Sequence, residues 1–177
     1  MKKAIGLVVT MVATVAMAQT WLGEYQWVAT DEEKAVVEKA VEEGAQQVGR
    51  LIRSVARGRL KETTKPFQTL SFAMEDGTMT MVRDDDSPIV GLMDGNDIEW
   101  KRKDGKTFTV TQILEKDVFM QTFTDSEGNT RVNTHTFDED GKTLTLAIVI
   151  KSSSLKTPLT YELTYAKRDK DNIGASE

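Results

Sequence analysis

The sequence runs to 177 residues with 23 basic and 28 acidic side chains, one histidine and no cysteine. The acidic balance disfavours a nucleic-acid partner. One histidine without cysteine removes disulfide frameworks, His/Cys zinc sets and Cys- or His-centred nucleophile systems, and the length suits a single domain with a sizeable core.

Lys2 and Lys3, the apolar run from Ala4 to Met17 and the ending Ala16-Met17-Ala18 have the layout of a secretory signal peptide, with cleavage expected after Ala18. About 14 apolar residues fall short of the roughly 20 that a membrane span needs, and no cysteine is available for a lipid anchor. The expectation is a free mature chain, periplasmic or secreted.

Leu22 to Ala29 reads as a short aromatic strand. It leads into Thr30 to Arg59, the one stretch written in helical period. Thr30 with Glu33 forms a capping box, Asp31, Glu32 and Glu33 fill the first turn, and Arg50, Arg53 and Arg57 fill the last ones. Val37, Val41, Val48, Leu51, Ile52 and Val55 recur at three- and four-residue steps, so one stripe should lie on a sheet. Gly58 is the expected terminator, giving a helix over residues 30–57. Gly44 and Gly49 each cost about 1 kcal/mol relative to alanine and call for a kink or close packing. As one rod the segment would span roughly 42 Å, against a barrel mouth about 20 Å across. Either one glycine breaks it into a two-helix lid, or it runs along the barrel wall.

From Phe67 onward the period drops to two. Phe67 to Met74 turns at Glu75-Asp76-Gly77 into Thr78 to Arg83, a hairpin with Asp-Gly turn chemistry. Shorter segments follow at Pro88 to Met93 and Asp97 to Lys103. Longer ones follow at Thr107 to Glu115, Val118 to Thr124, Thr130 to Phe137, Thr143 to Lys151 and Leu159 to Arg168. Residues 169–177 are charged and small and read as a frayed tail. The fold class is mainly β: an antiparallel up-and-down barrel of about eight to ten strands over residues 19–168. Its N-terminal helical segment, one kinked helix or two, sits between the first and second strands.

Gly23-Glu24-Tyr25 with Trp27, the helix from Thr30 to Arg57, and the closing strand Leu159-Thr160-Tyr161-Glu162-Leu163-Thr164-Tyr165-Ala166-Lys167-Arg168 resemble the calycin group. The order of elements is closest to the intracellular fatty-acid-binding proteins, and the resemblance covers the whole mature chain. Two departures stand out. The lipocalin signature Gly-x-Trp reads Gly-x-Tyr here. The Arg-x-Tyr pair that grips a fatty-acid carboxylate in the binding proteins is missing, because neither Tyr161 nor Tyr165 has an arginine two residues before it. The resemblance implies a secreted, bacterial-type relative of the fold with its own ligand or none.

Phe72, Met74, Met79, Met81, Trp100, Phe119, Phe123 and Tyr165 are the candidate cavity lining, methionine suiting a variable ligand and equally a packed core. Arg50, Arg53, Arg57 and Arg59 are a candidate docking spot for an anionic surface or partner. Arg131, Asn133 and His135 share one strand face; the row could form a buried polar site in the barrel, but such rows usually face water and the solvated outer face is the expectation. Asp84-Asp85-Asp86 and Asp138-Glu139-Asp140 do not match a calcium loop and read as solvated turns. No catalytic set, metal site or cofactor motif emerges. The first reading is therefore a monomeric, non-enzymatic exported protein holding a small hydrophobic ligand, a fatty acid or similar lipid, in a barrel cavity. The alternative is a filled barrel that binds a partner or anionic surface through its helix and basic end.

Overall fold

The computed structural model describes residues 20–168. The expected signal peptide and tail lie outside them. Ten antiparallel strands form one sheet: β1 (Gly23–Trp27), β2 (Thr69–Glu75), β3 (Thr78–Arg83), β4 (Ile89–Leu92), β5 (Ile98–Lys101), β6 (Thr107–Glu115), β7 (Val118–Thr124), β8 (Thr130–Phe137), β9 (Thr143–Lys151) and β10 (Leu159–Lys167). Their order is β4-β3-β2-β1-β10-β9-β8-β7-β6-β5. Consecutive hairpins account for most pairings. Closure comes from β1 against β10, with Tyr25 opposite Lys167 and Trp27 opposite Tyr165. β4 and β5 are the two ends of the order, and there Ile98 packs over Gly91, where a Cβ would stand 2.2 Å from Ile98 Cδ1.

The Asp76-Gly77 turn has the two positive φ angles, 47° and 78°, that a two-residue hairpin turn requires. Alternation sets the inner face: Leu144, Leu146, Ile148 and Ile150 of β9 are buried, as are Leu159, Tyr161, Leu163 and Tyr165 of β10. The far end is closed by Trp21, stacked on Phe137 at 4.8 Å between ring centroids. Gly141, at φ 68°, admits this closure, since a Cβ there would meet the Thr20 carbonyl oxygen at 2.5 Å.

The helical segment is two helices, α1 (Asp31–Gln46) and α2 (Arg53–Thr64). Thr30 Oγ1 accepts from the Glu33 amide at 3.2 Å, one half of the expected capping box. The other half is replaced, because the Glu33 carboxylate accepts from Trp27 Nε1 at 2.6 Å and from the Thr164 amide. α1 is thereby tied to the barrel. Gly44 lies inside α1 as a close-packing residue, its missing Cβ leaving room for Leu159 Cδ2 and Leu60 Cδ1 at 2.9 Å. The break comes after it, between Gln47 and Ile52, around Gly49, which has open space beside it.

Two expectations are corrected here. Gly58 does not terminate the helix; its φ stays negative and α2 runs on to Thr64. It ends where Pro66 disfavours helical geometry at Lys65, whose ψ is 122°. The apolar stripe also divides. Val37 and Val41 are buried, whereas Leu51, Ile52 and Val55 are 97%, 58% and 58% exposed, because the break re-aims everything after it.

Candidate ligand-binding site

Strand register assembles the inner wall in cross-strand rows. The row nearest the helices runs Val110, Phe123, Arg131, Ile150 and Leu159. The next runs Gln112, Gln121, Asn133, Ile148 and Tyr161. A third runs Leu114, Phe119, His135, Leu146 and Leu163. Opposite them β2 and β3 contribute Leu70, Phe72, Met79, Met81 and Arg83, all buried.

Arg83 is 6% exposed. Its guanidinium carbon lies 4.7, 4.6 and 4.7 Å from the ring centroids of Phe67, Trp100 and Phe123. Burial, followed by repulsion from Arg131, pushes its pKa down to about 9. Its nearest carboxylate, Asp86, is 3.6 Å away. Arg131 lies over the other side of this cluster, 5.2 Å from the Phe67 centroid, and donates to Asn133 Oδ1 at 2.8 Å and to the Thr63 carbonyl at 2.9 Å. Among the described residues Arg83 thus has one carboxylate within 4 Å and Arg131 has none, and Asp84 and Arg102 act on Arg83 from farther off. In a largely apolar enclosure an uncompensated charge is costly.

One row deeper, Gln112 and Gln121 are fully buried, and neither the oxygen nor the nitrogen of either amide has a hydrogen-bond partner among the described residues. Asn133 Nδ2, His135 Nε2 and Arg83 Nε are likewise unpartnered. The other ring nitrogen of His135 lies 3.0 Å from the Phe119 carbonyl oxygen. A carbonyl only accepts, so Nδ1 carries the hydrogen and Nε2 is a bare acceptor. Burial lowers the His135 pKa to about 4, keeping the ring neutral near pH 7. Buried polar atoms are almost always paired, so four side chains with unmet groups on one inner wall, with Arg83 facing them from β3, mark a place built for something polar.

Seven of the eight side chains expected to line a cavity, Phe72, Met79, Met81, Trp100, Phe119, Phe123 and Tyr165, are buried on inward faces. Met74 is half-buried near the β2–β3 turn. Tyr165 donates its hydroxyl to the Phe67 carbonyl at 3.0 Å, and Tyr161 donates to that of Thr64 at 3.2 Å. The Arg131-Asn133-His135 row faces inward, not to solvent as expected: Asn133 and His135 are fully buried. Arg83, Gln112 and Gln121 were not anticipated. The signal is in the sequence nonetheless, since Gln112 stands in phase between Val110 and Leu114, Gln121 between Phe119 and Phe123, and Arg83 after Met79 and Met81.

Of the basic cluster, Arg57 is held by Glu42 through bonds of 2.8 and 2.9 Å, while Arg50 and Arg59 are exposed. A groove of about 560 Å³ runs between α1 and the end of α2, past Val37, Val41, Arg57, Lys61 and Pro66. A second, of about 300 Å³, separates α2 from Ser154 and Leu155.

No family model and no curated protein matches the chain. Solved structures do. Lipid binding protein 8 of Caenorhabditis elegans superposes with a TM-score of 0.53 at 15% identity, over 88% of this chain and 100% of that one. The fatty-acid-binding protein 1 of Echinococcus granulosus gives 0.52 at 12%, over 85% and 98%. The Schistosoma mansoni fatty-acid-binding protein, solved with arachidonic acid, gives 0.51 at 16%, over 85% and 98%. The chain has the fold of the fatty-acid-binding proteins, a calycin-type barrel of ten strands with two helices between the first and the second.

Proposed function

We propose that this protein binds a fatty acid or similar lipid inside the barrel, without catalysis or cofactor, with the acidic head near Arg83 and Arg131 and the tail against the phenylalanine and methionine wall. The observation that carries this is the pair of cations over the Phe67 ring, buried Arg83 and half-buried Arg131, of which only Arg83 has a carboxylate within 4 Å among the described residues, Asp86. An anionic head would offset the excess charge there, and burial of the tail would supply affinity. The solved neighbours that bind fatty acids favour the same reading.

The test is displacement of a fluorescent fatty-acid probe, with native mass spectrometry of protein purified from its own host. Long-chain acids should displace the probe, and Arg83→Met with Arg131→Met should weaken them about 10-fold or more. A protein that carries no lipid and releases no probe sinks the reading. Export as a monomer, with cleavage after Ala18, belongs to this proposal. The intact mass of host-purified protein checks the cleavage, and native mass the oligomeric state.

A second reading rests on the α1–α2 turn, where exposed Leu51, Ile52 and Val55 stand beside exposed Arg50 and Arg59. An apolar tip ringed by cations suits an anionic lipid surface. Co-sedimentation with vesicles containing phosphatidylglycerol, lost in Leu51→Ser/Ile52→Ser with probe affinity unchanged, would support it; no sedimentation by the unmodified protein would remove it.

A further inference from the structure

We infer that the ligand carries, beyond its acidic head, a second and uncharged group able both to donate and to accept hydrogen bonds, a hydroxyl or an amide, and that Gln112, Gln121, Asn133 and His135 hold it. This inference rests on the ligand-binding reading above and specifies its substrate class.

The first support is placement. Gln112, Gln121 and Asn133 are direct cross-strand neighbours on β6, β7 and β8, two residues deeper than Val110, Phe123 and Arg131. Two residues along a strand are roughly 7 Å. A head at the arginines and a group at the amides are therefore separate points along one chain. His135 follows on β8, edge-on to Phe72 with ring centroids 5.4 Å apart. The polar set is thus bounded by aromatic and aliphatic wall, as a mid-chain subsite would be.

The second support is the kind of atom left unmet. Gln112 Nε2, Gln121 Nε2 and Asn133 Nδ2 are donors; Gln112 Oε1, Gln121 Oε1 and His135 Nε2 are acceptors. A carboxylate, ketone or ether accepts only, and would leave every one of those acceptors unmet. An ammonium donates only, and would add a further cation near Arg83 and Arg131. A hydroxyl or an amide does both.

The third support is that the set does not satisfy itself. Gln112 and Gln121 stand opposite each other, yet neither amide bonds the other. Asn133 spends its oxygen on Arg131 Nε and keeps its nitrogen turned to the interior. Buried amides unmet by the chain are costly to retain, and two leucines at these inward positions would fold at least as well.

The test measures displacement of the fluorescent fatty-acid probe by saturated acids of equal chain length, unsubstituted or bearing one hydroxyl or one ketone at successive mid-chain positions. At least one hydroxylated acid should bind about 10-fold tighter than its unsubstituted and keto counterparts, because a site with unmet polar groups rejects analogues that leave them unmet. In Gln112→Leu/Gln121→Leu that preference should collapse to about twofold or less, with the unsubstituted acid bound no more weakly than before. Gln121→Met, close in shape to glutamine, gives a milder second variant, and circular dichroism verifies that both fold. Unsubstituted acids that bind as tightly as every hydroxylated one, or a preference that survives both substitutions, would overturn the inference while leaving fatty-acid binding intact. Failure of every acid to displace the probe would instead overturn the ligand-binding reading, and this one with it.

Discussion

The indole Nε1 of Trp27 donates to the Glu33 carboxylate at 2.6 Å, joining the last residue of β1 to the first turn of α1. The same carboxylate accepts from the Thr164 amide in β10, so one side chain pins the helix pair to both strands that close the barrel. Glu33→Ala should cost about 1 to 3 kcal/mol, since it leaves a half-buried indole N–H and a strand amide unpaired. Hydrogen exchange should quicken along α1 before β6 to β9 are affected. Unchanged α1 protection would count against this anchoring.

Gly44 and Gly49 look alike in sequence and should respond oppositely. At Gly44 an added methyl meets Leu159 and Leu60 at 2.9 Å, so Gly44→Val should push the helices off the start of β10 and destabilise by about 1 to 3 kcal/mol. At Gly49 nothing lies within 4 Å and φ is ordinary, so Gly49→Ala should be neutral or stabilise by up to about 1 kcal/mol. Denaturant midpoints of the two variants decide the matter.

His135 gives the fold an acid sensitivity with a defined sign. The folded imidazole takes its proton only near pH 4, the unfolded one near 6.5. Between these values the unfolded chain binds more protons. Stability is therefore full above about pH 6.5 and is lost on acidification towards pH 4, at up to about 1.4 kcal/mol per pH unit. His135→Gln retains a donor for the Phe119 carbonyl and has nothing to titrate. The difference between the pH profiles of the two proteins should carry this slope, and parallel profiles between pH 4 and 6.5 would contradict it.

Gln112 and Gln121 should oppose stability in the ligand-free protein. Replacing either with leucine removes two unpaired buried polar atoms and should raise stability by about 1 kcal/mol. Thermal unfolding of ligand-free protein measures this, and a loss of stability in both single variants would mean that the amides are better satisfied than their surroundings indicate.

Much of the barrel was legible because its outer and inner residues differ sharply. Leu144, Leu146, Ile148 and Ile150 alternate with threonine, alanine and valine, so β9 can bury only one face. The same reasoning failed for β8, where Arg131, Asn133 and His135 alternate with Val132, Thr134 and Thr136, and the more polar set is the one inside. Polarity predicts exposure only while the interior is purely apolar. The cavity candidates were readable as bulky residues in phase; the amides among them were passed over because pattern reading discounts a lone glutamine. The helix break was half legible. Two glycines announced it, but only the position of Leu159, more than a hundred residues away, decides which of them packs and which bends.

The closing seam of the barrel joins residues near the two ends of the described chain: Tyr25 of β1 lies opposite Lys167 of β10. The strands at the two ends of the sheet order, β4 and β5, are by contrast neighbours in sequence. During synthesis β1 can pair with β2 early but must wait for β10, at the other end of the described chain, before the seam closes, and that loop is among the longest the fold contains. A chain rejoined through a short linker from β10 to β1 and reopened between Met93 and Asp97 would have the opposite history, since its closing pair would be local and its new ends would fall where β4 and β5 share no ladder. Such a rearranged protein should keep the barrel and fold faster.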